Sequence, residues 1–137
     1  MVRDEEGLES KTGGVEQVGS NGEKQIARML KHYGVRYLYE HPVAVRDRGK
    51  VRVWYPDMWL PDYAIAIEYA GRTDDERYME GIRHKKDVYD AAGIACIFVD
   101  SGFFSRNWPA AIFNQIRRVL DDRVVKFERM MERRRNL

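Results

Sequence analysis

Asp57 follows a proline, and Glu68 closes the apolar run Tyr63-Ala64-Ile65-Ala66-Ile67 eleven residues later, with Leu60-Pro61-Asp62 between them. An unpaired carboxylate at the end of a buried strand is costly. A hard divalent cation held between Asp57 and Glu68 would remove that cost and create a centre for phosphodiester hydrolysis. Alternation along 63–69 puts Ala64, Ala66 and Glu68 on one face and Tyr63, Ile65, Ile67 and Tyr69 on the other. The acidic face then has small neighbours and space for a ligand, while the opposite face packs. The Leu60-Pro61-Asp62 turn can fold Asp57 back beside Glu68 as a cross-strand neighbour. Two carboxylates so placed repel unless a cation or a shared proton intervenes. The same residues also read as an exposed hairpin with ordinary surface acids, and Asp62 reads as turn chemistry rather than as a ligand.

The elements that must position these acids follow from periodicity and punctuation. Residues 1–17 are polar and aperiodic and are expected to be a flexible tail, with one domain over 18–137. Ser20-Asn21-Gly22-Glu23 has the form of a capping box, and Ile26, Met29, Leu30 and Tyr33 then repeat at helical spacing up to Gly34. Val35 to Tyr39 reads as a strand, and Val43 to Tyr55 as a hairpin with its tip at Gly49. Thr73 to Ala92 reads as a helix closed by Gly93, and Ile94 to Val99 as a strand covered on both faces. Pro109 opens a further helix from about 107, and the stretch from Asp121 reads as another, amphipathic one. The expected order is α-β-β-β-α-β-α-α, a mixed sheet flanked by helices with C-terminal helices appended.

The Pro56-Asp57 pair, the aromatic, proline-containing turn and the apolar strand ending in Glu68 resemble the PD-(D/E)xK nuclease superfamily. The nearest members are its short-patch-repair-like and helicase-appended domains. The resemblance spans roughly residues 20–100, and that superfamily's restriction-endonuclease-like core has the same αβββαβ order. It implies a Mg²⁺-dependent endodeoxyribonuclease, with Mn²⁺ as a substitute, acting on DNA in repair, junction resolution or restriction. It also implies Asp57, Glu68 and the Tyr69 carbonyl as metal ligands, with Glu23 as an inner or outer ligand. Glu23 can equally close the capping box on Ser20. The family pattern expects a lysine two residues after the acid, where this chain has Ala70. Some members supply it from the next helix, where Lys85 and Lys86 fall between Ile82 and Tyr89; Lys85 is the first choice and Lys86 the second. The alternative is a catalytically inactive nucleic-acid-binding module of the same fold. Ala70 favours it and the helix lysines oppose it.

Composition sets the remaining expectations. In 137 residues, 44% apolar and 34% charged, there is room for one globular domain with a real core. The net charge of +2 is small, so attraction to phosphate must come from local patches. Arg46, Arg48 and Lys50 at the hairpin tip, Arg72 after the acidic strand and His84 are the candidate nucleic-acid contacts. Arg133-Arg134-Arg135 either adds to them or complements a helix end. The single cysteine, Cys96, lies in an apolar run and is expected to be a core residue, which excludes a disulfide framework or multi-cysteine zinc site. No run approaches a membrane span and no signal-peptide core opens the chain, so a cytoplasmic protein with no membrane partner and no organic cofactor is expected. The apolar stripe from Val124 to Met131 is available for a homodimer.

Overall fold

The computed structural model describes residues 11–12, 21–71, 75–104 and 107–136. Its elements are β1 (Lys11–Thr12), α1 (Asn21–His32), β2 (Leu38–Tyr39), β3 (Val43–Asp47), β4 (Lys50–Trp54), β5 (Met58–Leu60) and β6 (Ile65–Ala70). They continue with α2 (Glu76–Ala91), β7 (Ala95–Asp100), a 3-10 turn (Ser101–Phe103) and α3 (Trp108–Arg135). Five strands form one sheet in the order β1-β2-β5-β6-β7, antiparallel except for the parallel β6–β7 pair. Among the described residues the architecture is therefore α/β with a mixed sheet and three helices.

The two sides of the sheet follow from strand alternation. Met58, Leu60, Ile65, Ile67, Ile97 and Val99 point to one side, where they bury against Ile26 and Leu30 of α1 and Ile112 and Ile116 of α3. Each such aliphatic side chain contributes about 1.5–3 kcal/mol through removal from water. Trp59, Cys96 and Phe98 point to the other side, against Val88 and Tyr89 of α2 and Val43 and Val45 of the β3–β4 hairpin. Ala66 and Glu68 share that second side by the same alternation.

Local signals explain the element ends. Gly34, at φ +71°, lets the chain turn out of α1 while the Val35 amide donates to the Leu30 carbonyl at 2.9 Å. Asp75 caps α2, accepting from the amides of Arg77 and Tyr78 at 3.0 and 3.3 Å. Arg48 and Gly49 both have positive φ, as a two-residue hairpin turn of matching twist requires.

Several expectations are corrected, beginning with the αβββαβ order: among the described residues five strands, β2 to β6, run between α1 and α2. The β3–β4 hairpin is a separate two-stranded sheet packed with α2, not part of the central sheet. The central sheet instead recruits β5, an unexpected strand just before the turn expected at Leu60-Pro61-Asp62, which the chain makes over 61–64. Pro56 and Pro61 confine that strand to three residues, yet Met58 and Leu60 are fully buried. The strand expected over Val35 to Tyr39 shrinks to Leu38–Tyr39. Ala64 has φ +51° and stands outside β6, so it does not share the Glu68 face. The two expected C-terminal helices are one, because no glycine or proline interrupts 110–135. Lys11 and Thr12, within the segment expected to be a tail, pair with Tyr39 and Leu38, and the rest of 1–17 lies outside the described residues. Among the described residues, no helix is long and apolar enough to cross a membrane.

Candidate active site

The β5–β6 register, with Met58 opposite Ile67, continues one step further to set Asp57 opposite Glu68. Asp57 Oδ2 accepts the Tyr69 amide at 2.7 Å, which extends the pairing through a side chain beyond the last residue of β5. Tyr69's carbonyl leaves the strand on the same side as its amide, toward Asp57.

Glu68 is 5% exposed, the one acid in the buried interior among the described residues. Two groups from α2 meet it. The Tyr89 hydroxyl donates to Oε1 at 2.9 Å, and Lys85 Nζ lies 3.4 Å from Oε2. Lys85 and Tyr89 are four apart, so one helical turn presents both to the same carboxyl group. Burial pushes the Glu68 carboxyl up to about 7; the Asp57 charge adds to the rise, while Lys85 and the Tyr89 hydrogen bond oppose it. Burial, then the Glu68 charge, pushes the Tyr89 hydroxyl up as well, so it remains a donor. A cavity of about 440 Å³ lies in front of these groups, walled by Asp57, Glu68, Lys85, Glu40, Trp54 and Tyr55.

The donor set suits a hard cation. Among the described residues no cluster of three or more His, Cys, Asp and Glu side chains surrounds a single point. Two opposed carboxylates, one of them buried at an electrostatic cost, match an ion that keeps most of its waters, as Mg²⁺ does. Asp57 and Glu68 would hold it, with the Tyr69 carbonyl beside them.

The other expected site residues that the structure describes do not wall this cavity. Glu23, half-buried in the first turn of α1, is not among the residues walling the cavity, and α1 packs on the opposite side of the sheet. Ser20, its capping-box partner, lies outside the described residues. Lys86 is exposed and also absent from the cavity wall, because Val88 and Tyr89 set the buried edge of α2 and only Lys85 projects forward of it. His84 Nε2 lies 2.8 Å from Asp47 Oδ1 and ties α2 to the hairpin, so its ring is already engaged within the fold. Arg46, Arg48 and Lys50 are exposed around the hairpin tip, with the Arg46 guanidinium donating to the Gly49 carbonyl at 3.3 Å. Arg72 lies outside the described residues.

Asp62 pairs with Arg36 at 2.7 Å, and that hydrogen bond holds its carboxyl below the usual range. It thus serves the turn. His41 stacks on Trp59, ring centres 5.6 Å apart, and Trp59 packs on the α2 side of the sheet. Burial pushes the Cys96 thiol up, consistent with a core residue and not a nucleophile.

Sequence reasoning placed Tyr89 on the inward face of its helix and missed its hydroxyl as a partner of Glu68. The available signal was its spacing of four from Lys85. Glu40, Trp54 and Tyr55 had none, since they reach the cavity from the ends of β2 and β4 through tertiary packing. Comparison with protein-family models, curated proteins and solved structures finds no match to this chain.

Proposed function

We propose that the chain is a divalent-metal-dependent endodeoxyribonuclease of the PD-(D/E)xK kind, with Asp57, Glu68 and Lys85 as its catalytic residues. The observation that carries this reading is the convergence of those three side chains, from β5's approach, β6 and α2, on one cavity. Lys85 fills the role that Ala70 leaves vacant in the strand.

When bound, Mg²⁺ polarises the scissile phosphate and makes a coordinated water more acidic. Asp57 and Glu68 would hold the ion, and Asp57 is itself fixed by the Tyr69 amide. Tyr89 orients Glu68, leaving that carboxylate's remaining lone pairs for coordination. Lys85 orients the attacking water and opposes the negative charge that accumulates on the phosphate oxygens as one P–O bond forms and another breaks. The products are one phosphate end and one hydroxyl end. Arg46, Arg48 and Lys50 on the exposed hairpin tip offer sequence-independent contacts to phosphates.

The test is cleavage of plasmid, flap and four-way-junction DNA with Mg²⁺ or Mn²⁺, comparing wild type with Asp57→Ala. Metal-dependent cutting that disappears in the variant is expected. DNA binding with no cutting under any condition would favour an inactive binding module instead.

A further inference from the structure

The C-terminal half of α3 carries large apolar side chains that no neighbour among the described residues buries. Every residue from Asp121 to Asn136 is exposed, yet Val124, Val125, Phe127, Met130 and Met131 stand there at 38% to 57% exposure. Five of the eight large hydrophobic side chains exposed among the described residues are thus on this one segment. Arg123 anchors the helix at the edge of the body by donating to the carbonyls of Tyr63 and Ala64. Beyond it about 18 Å of helix continues, a length that is marginal in isolation.

The exposed stripe is the extension of a buried one. At about 100° per residue, Ile116, Leu120 and Phe127 lie within about 40° of each other, with Val124 and Met131 close beside them. Ile112 and Ile116 bury that face against the core, so the face runs off the body still apolar. Its two ends differ in charge: Asp121 and Asp122 with Arg123 leave the near end net acidic, and Arg133, Arg134 and Arg135 with Glu132 leave the far end net basic.

We infer that this segment pairs with the same segment of a second copy, in antiparallel orientation about a two-fold axis. Antiparallel pairing sets the acidic end of each helix against the basic end of the other, twice by symmetry. Parallel pairing stacks like ends together and drives the second helix into the face that Ile112 and Ile116 already fill. Asp121 and Arg135 flank the stripe on one side, two heptads apart, and meet across the axis. Glu128 lies midway between them on that flank, so the two copies of Glu128 approach each other at the axis. A parallel pair would instead put Glu128 beside Arg123 of the second copy, which gives the two arrangements opposite signs.

The experiment is sedimentation velocity on the full chain over a concentration series up to about 100 μM. Wild type is expected to run at twice the chain mass, and Phe127→Glu as a monomer with unchanged near-UV circular dichroism. Asp121→Arg is expected to weaken the dimer about tenfold, and adding Arg135→Glu to restore it. Glu128→Gln is expected to tighten it severalfold. A monomeric wild type, or a dimer that survives Phe127→Glu, would overturn the inference. Weakening by Glu128→Gln, or failure of Arg135→Glu to rescue, would overturn the antiparallel arrangement. None of these readouts depends on DNA cleavage.

Discussion

Lys85 Nζ stands 3.4 Å from Glu68 Oε2, an ion-pair separation and not a short hydrogen bond. The ammonium is close enough to act on whatever Glu68 holds without being locked to it. It is also half-exposed, open to the cavity in which a phosphate would sit. Its neighbour Lys86 shares the charge but not the position.

That difference predicts unequal effects. Lys85→Met should reduce single-turnover cleavage by about 10²–10³-fold, as loss of a charge-stabilising group does, with the fold intact. Lys86→Met should stay within a few fold. Equal losses in the two variants would assign both lysines to general phosphate attraction.

The buried acid makes stability depend on pH. Without metal, Glu68 in the folded protein titrates near 7, above its ordinary 4.5. A raised carboxyl pKa means the folded state keeps a proton that the unfolded chain releases. The resulting stability is complete below about 4.5 and lost as pH rises through about 7, up to roughly 3 kcal/mol in all. Thermal unfolding of the metal-free protein should therefore fall across that window, and Glu68→Gln should flatten the dependence. A parallel slope in the variant would place the titrating group elsewhere.

Tyr89→Phe removes one hydroxyl and leaves the ring against Trp54 and Phe98. Glu68 Oε1 then loses its buried donor, at a cost of about 1–3 kcal/mol by chemical denaturation. Cleavage should fall less than in Lys85→Met, because Tyr89 acts through Glu68. Unchanged stability would show that water replaces the hydroxyl freely.

Much of the centre was legible because a strand has period two and a helix has spacing four. Proline on one side and an apolar run on the other set Asp57 and Glu68 opposite each other, while the Ile82 to Tyr89 spacing put Lys85 and Lys86 alike inward and only the resemblance preferred Lys85. β5 escaped because a three-residue strand between Pro56 and Pro61 carries too short a pattern to display itself. The His84–Asp47 contact, 37 residues apart, depends on a hairpin docking on a helix, which no local signal encodes. Glu23 was assigned by resemblance, and its helix packs on the far side of the sheet from the cavity.

Gly22 is the first helix's link to the site. A methyl group there would come within 2.1 Å of Tyr69 Cζ, and Gly71 already approaches that ring, with a built Cβ only 3.0 Å from Cε1. Gly22→Ala should cost about 1–3 kcal/mol in urea unfolding through overpacking. It should also reduce cleavage, since Tyr69's amide holds Asp57. Wild-type stability in Gly22→Ala would mean that the ring swings aside.

The most direct test is calorimetric titration of Mn²⁺ into the metal-free protein and into Asp57→Asn and Glu68→Gln. One binding event per chain, lost or greatly weakened in each variant, is the predicted result. Binding of equal strength in all three proteins would contradict a cation shared by these two carboxylates.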